Sequence, residues 1–123
     1  MSTPEGKVKQ FIDKKMKEWF PKAFKYAPPG GRYGKAGMPD RLWLFQAGEL
    51  YTLVVAIEAK APDKAPTELQ IITMSKLREQ GVFGHFIIGK DVGTMEMIRE
   101  GIILRLDTMN RMKDIVKRVD GKL

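Results

Sequence analysis

Apolar positions recur along the chain in two different rhythms. Near the N-terminus Val8, Ile12, Met16 and Trp19 return every three or four residues, with Phe11 and Phe20 widening the stripe. That spacing predicts an amphipathic helix. Ser2-Thr3-Pro4-Glu5 reads as its start, with Ser2 and Glu5 at capping-box separation and Pro4 in the first turn, and Pro21 ends it. From residue 40 onward the rhythm shortens. Leu42-Trp43-Leu44-Phe45 and the run from Leu50 to Ile57 are apolar segments of strand length, separated by Gln46-Ala47-Gly48-Glu49. Two such runs around a short Gly-containing turn predict a β-hairpin.

After the hairpin, Pro62 and Pro66 prevent the strand from continuing. Thr67 and Gln70 stand at capping-box spacing and open a second helix, which runs to about Gln80 and stops at Gly81. Val82 to Ile88 reads as a third strand and Asp91 to Glu100 as a helix with Met95 and Ile98 inward. Ile102-Ile103-Leu104-Arg105-Leu106 reads as a fourth strand, after which Asp107 caps a last helix through Met109, Met112, Ile115, Val116 and Val119. The predicted order is α, β, β, α, β, α, β, α. It describes an α/β chain with a mixed central sheet of about four strands flanked by helices. A chain of 123 residues fits one domain, 1–123, around one core.

Candidate chemistry lies at the ends of the hairpin. Asp40 opens its first strand and Glu58 closes its second, so an antiparallel pairing makes them neighbours. Strand alternation sends Glu58 and Lys60 to the same face. Two carboxylates and an ammonium therefore converge at one end of the sheet. Adjacent carboxylates repel, and a divalent cation relieves the repulsion. An oxygen-only donor set suits Mg²⁺, with Mn²⁺ as a substitute. Lys60 can hold a water or offset developing negative charge. Gln70 shares a helix face with Met74 and Leu77, which places its amide near the metal site to hydrogen-bond substrate phosphate or a metal-bound water, and its capping spacing offers a purely structural role beside that one. Glu5 lies in line with Val8 and Ile12, and the residues leave a cap and an inward site acid equally open.

Charge extends the picture. The chain carries 22 Lys plus Arg against 15 Asp plus Glu, a net charge of +7 that favours a polyanion such as DNA. The stretch from Lys22 to Met38 reads as a loop in which basic and aromatic residues interleave. Arg32, Tyr33 and Lys35 within it, with Arg41 and Lys64 beside the hairpin acids, are the expected DNA contacts. Absent cysteines exclude disulfides and thiolate metal sites, and one histidine excludes the usual zinc clusters. That histidine, His85, falls within a predicted strand and reads as structural. No apolar run reaches membrane-spanning length and the N-terminus lacks a signal-peptide pattern. The expectation is an intracellular protein without a membrane partner, in a bacterial cytoplasm if the source is viral.

Pro39-Asp40 followed by Glu58-Ala59-Lys60 resembles the PD-(D/E)XK nuclease signature. With Gly37 before it and Ala61-Pro62, Thr67-x-x-Gln70 and Gly81 after it, the pattern resembles the virus-type replication-repair nuclease (VRR-NUC) family from Glu5 to about Ile88. The resemblance implies a restriction-endonuclease-like core and a metal-dependent DNA endonuclease. It implies Asp40, Glu58 and the Ala59 carbonyl as Mg²⁺ ligands, Glu5 as a further acid from the first helix, and Lys60 and Gln70 as catalytic partners. Stand-alone viral and bacterial members of the family resemble homodimeric enzymes that cut four-way (Holliday) junctions. Flaps, nicks or duplex are alternative substrates, and a DNA-binding module that does not cut is a further alternative. In a purely structural reading the acids simply pair with Lys60 and Arg41. For a dimer, the expected interface is the aromatic group Trp19, Phe20 and Phe24, or Met109 and Met112 near the C-terminus.

Overall fold

The computed structural model describes residues 3–27 and 37–121, with the backbone alone over 113–120. Its elements in chain order are α1 (Pro4–Trp19), β1 (Phe24–Tyr26), β2 (Arg41–Ala47), β3 (Tyr51–Lys60), α2 (Glu68–Glu79), β4 (Phe83–Ile88) and α3 (Val92–Asp120). The strands form one sheet in the order β1-β2-β3-β4. β1–β2 and β2–β3 pair antiparallel, whereas β3–β4 pair in parallel across the α2 crossover. The protein is thus α/β with a four-stranded mixed sheet flanked by three helices, consistent with a restriction-endonuclease-like core.

The hydrophobic pattern explains the layers. Trp43 and Phe45 of β2 pair with Val55 and Leu53 of β3, and these odd-numbered positions point to one face. There they join Val8, Ile12 and Met16 of α1, and Met95, Ile98 and Ile102 of α3, in one buried cluster. On the other face α2 covers the β3–β4 half, where Ala56 and Gly84 stand side by side. A Cβ on Gly84 would lie 2.3 Å from the sulfur of Met74, so the missing side chain is what lets α2 lie this close. Among the described residues no element covers the β1–β2 half of that face, where Phe24, Tyr26 and Leu44 are exposed.

Three sequence expectations change here. The predicted helix, fourth strand and final helix after residue 91 are one continuous helix, α3. Met95, Ile98 and Ile102 are all buried while Ile103 and Leu104 are exposed, which is a helical face and not strand alternation. Asp107 caps nothing; it pairs with Arg111 one turn on. The fourth strand is instead β1, from the stretch read as loop, and three residues pairing Phe24 with Leu44 suffice for it. Finally, Thr3 and not Ser2 caps α1, accepting the Gly6 N–H at 3.0 Å. Gly6 occupies the position where a capping box needs Glu or Gln, so no reciprocal bond forms. No helix among the described residues is long and apolar enough to cross a membrane.

Candidate functional site

The hairpin register brings the acids together. Arg41 pairs with Ile57, so Asp40 and Glu58 are the next residues outward on adjacent strands. They interlock through backbone and side chain. The Asp40 N–H donates to Oε2 of Glu58 at 2.8 Å, and the Ala59 N–H donates to Oδ2 of Asp40 at 3.2 Å. Each carboxylate thus anchors the other residue's strand end. Gly37 prepares this approach. It adopts φ +85°, and a Cβ there would lie 2.8 Å from both Cγ of Leu69 and Oγ1 of Thr73. Only glycine satisfies both conditions.

Glu58 is only 4% exposed, a severe burial for a carboxylate. Burial first, and then the charge of Asp40, push its pKa from 4.5 up to about 7, while the Asp40 N–H and the Lys60 charge oppose the rise. Lys60, also buried, lies two residues further along the same strand face. Near neutral pH the pair therefore sits where a proton or a cation decides its state.

Gln70 makes the expected cap and, in addition, a bond to Glu58. Its side-chain oxygen accepts the Thr67 N–H at 2.9 Å, completing a capping box at the start of α2. Its amide nitrogen donates to Oε1 of Glu58 at 2.8 Å. The amide is thereby committed to fixing Glu58, not turned outward to a phosphate.

The remaining expectations divide. Glu5 is half-exposed and pairs with Lys9 at 3.5 Å, and Lys9 lies 3.7 Å from Oδ1 of Asp40. Glu5 is thus linked to Asp40 through Lys9, and its charge adds to those that raise the Glu58 pKa. Arg41 turns to α1, where its Nε donates to Oδ1 of Asp13 at 3.1 Å and its Nη1 to the Asp40 carbonyl. Its guanidinium is therefore part-buried against Asp13 and meets Asp40 at the backbone carbonyl, not at the carboxylate. Lys64 is exposed in the turn beyond β3. Arg32, Tyr33 and Lys35 lie outside the described residues.

Sequence reasoning missed Lys9 and Asp13. Asp13 also binds Lys25 at 2.9 Å, so it ties both β1 and β2 to α1. A signal was present: Glu5, Lys9 and Asp13 recur every four residues and form one charged line along α1.

The donor set fits a hard divalent cation. The two carboxylates are oxygen donors, and the raised Glu58 pKa marks a charge that the protein alone leaves poorly compensated. No protein-family model matches the chain, and no curated protein matches it.

Proposed function

We propose that the protein is a metal-dependent endonuclease that hydrolyses DNA phosphodiester bonds, with Asp40 and Glu58 as cation-binding acids and Lys60 as the residue that positions the attacking water. The observation that carries this reading is the interlocked acid pair, whose buried Glu58 is held near pKa 7 with a lysine on the same strand face. A structural ion pair needs no second acid at such a cost. Of the cations near the acids, Arg41 binds Asp13 instead and Lys9 reaches only Asp40 of the pair, which leaves Glu58 without an ion pair among the described residues.

A bound Mg²⁺ or Mn²⁺, held by Asp40, Glu58 and the Ala59 carbonyl, would supply Lewis-acid stabilisation of negative charge on the phosphate. The chain's own groups do the rest. Gln70 and the Asp40 N–H fix both oxygens of Glu58 in place. Lys60 orients the attacking water and offsets charge as it builds on the phosphate oxygens. The water oxygen bonds to phosphorus as the bond to the 3′ oxygen breaks. The proton lost by the water is balanced by one gained at the leaving oxygen, giving a 5′-phosphate and a 3′-hydroxyl. Lys64, Arg32 and Lys35 contact the DNA phosphates, and Tyr33 stacks on a base.

The sequence resemblance supports a four-way junction as substrate, cut by a homodimer. A junction needs two cuts on opposing strands, and a two-fold dimer presents two centres in matching symmetry. Calorimetric titration with Mn²⁺ tests the acid pair directly. Wild type binds, whereas Asp40→Asn and Glu58→Gln do not; unchanged affinity in both variants would remove the acids from the proposal.

A further inference from the structure

We propose that the cleft at the free edge of β4, between the end of α2 and the middle of α3, binds a phosphate-type oxyanion between the guanidinium groups of Arg78 and Arg105. The cleft has a volume of about 380 Å³ and is lined by Arg78, Val82, Phe83, His85 and Arg105, among others. It is separate from the acid pair. Phe83 and His85 align with Val55 and Ile57 on the sheet face that carries the main core, whereas Glu58 alternates to the face covered by α2. The inference does not rest on the nuclease reading.

Both arginines are held in place without being neutralised. Arg78 donates from Nε and Nη2 to the Gly84 carbonyl, at 3.0 and 2.7 Å. One side of its fork is thus fixed on the strand edge and the other N–H groups remain to be used. Arg105 donates to the Gly101 carbonyl at 3.2 Å and stacks 3.8 Å from the centroid of Phe83. Gly101 allows that stacking, because a Cβ there would stand 2.5 Å from Cζ of Phe83. Neither guanidinium forms an ion pair with a carboxylate among the described residues. Two fixed, uncompensated cations facing one cleft favour an anion, and planar guanidinium forks match phosphate oxygens.

His85 marks the same place. Its Nε2 is buried and is the one buried side-chain nitrogen or oxygen without a hydrogen-bond partner among the described residues. Burial, and then the charges of Arg78 and Arg105, hold its pKa below the ordinary value, so the ring is neutral at pH 7 and senses both arginines. An anion between them would reverse that effect. The ligand is either free phosphate or a phosphodiester of DNA, since the chemistry recognised is the same.

Because the chain has a single histidine, its imidazole gives one assignable NMR signal. The experiment follows that signal against pH in the full chain, with EDTA present. Sodium phosphate, sodium chloride at matched ionic strength and a short DNA duplex are added in separate arms. Phosphate is expected to raise the His85 midpoint by about one pH unit, and chloride to leave it in place. A matching rise with duplex assigns the site to DNA phosphodiesters; a rise with phosphate alone assigns it to free phosphate. Arg105→Gln and Arg78→Gln should each weaken the phosphate response by about tenfold or more, the loss of one charge-assisted hydrogen bond. Arg105 bonds only to an exposed helix carbonyl, so its variant serves if Arg78→Gln fails to fold. No midpoint change with phosphate or duplex, an equal change with chloride, or an undiminished response in Arg105→Gln would overturn the proposal.

Discussion

Lys60 and Glu58 carry the sharpest expectations at the scale of single residues. Lys60→Ala should lower cleavage by about a hundredfold to a thousandfold while leaving DNA binding and the melting transition nearly unchanged. Cleavage near the wild-type rate would remove Lys60 from the chemistry. Glu58 ties stability to pH. Its folded pKa of about 7 lies above its ordinary 4.5, so the folded state holds the proton more tightly than the unfolded chain. Its contribution is therefore unfavourable above pH 7 and fades as pH falls towards 4.5. In EDTA, Glu58→Gln should stabilise the protein by about 1–2 kcal/mol at pH 8 and by much less at pH 4.5. The gain falls short of the full proton penalty because glutamine has one acceptor oxygen for two donors. Urea melts at the two pH values measure it, and an equal effect at both would contradict the raised pKa. For the same reason Mn²⁺ affinity should weaken steeply as pH falls from 8 to 6, since cation and proton compete for Glu58. Asp40 and Glu58 were legible in the sequence because they stand where strand-length apolar runs begin and end. Lys9 was legible only as one member of a charged line along α1, because helical spacing gives no sign of which strand end a lysine will meet.

Elements were legible where one period dominates and ambiguous where two compete. The hairpin, α1 and α2 match their expected spans because a helical stripe marks α1, apolar runs around a Gly-containing turn mark the hairpin, and the Thr67–Gln70 cap and Gly81 bracket α2. In α3 the adjacent Ile102, Ile103 and Leu104 mimic a strand, and Gly101 mimics a break. The long stripe from Met95 to Ile102 decides the outcome, because burying it against the sheet outweighs one glycine's helix cost of about 1 kcal/mol. β1 was invisible because three residues are too short for any period, and it exists only through its partner strand. The loop-to-strand junction at Gly37 is the element-level device that delivers Asp40. Gly37→Ala should cost about 1–3 kcal/mol, from its positive φ and from crowding against Leu69 and Thr73. It should also weaken Mn²⁺ binding, although residue 37 holds no ligand atom. A melt and a Mn²⁺ titration of the variant check both, and wild-type values in each would show that the junction is dispensable.

On the scale of the whole molecule, the open half of the sheet revises where a second copy would dock. Trp19 and Phe20 belong largely to the core's margin, and Phe20 packs edge-on against Phe45. Phe24, 65% exposed, and Met112, 47% exposed, remain free among the expected interface residues. Light scattering across a concentration series should give a homodimer mass, and a monomer at every concentration would remove the two-centre account of junction cutting. The net charge of +7 predicts strongly salt-dependent DNA binding. Replacing Arg32 and Lys35 by glutamine should lower the salt slope by about one for each DNA phosphate that is no longer neutralised. The central claim, that the hairpin acids and Lys60 form a cation-dependent nuclease centre, is tested most directly by one cleavage assay. Purified wild type and Lys60→Ala are incubated with end-labelled four-way junction and linear duplex in Mg²⁺ or Mn²⁺, with EDTA as control. Wild type should make paired cuts in the junction and few in duplex, with no cutting in EDTA and about a hundredfold to a thousandfold less in the variant. Intact DNA in every lane, or equal cutting by Lys60→Ala, would contradict it.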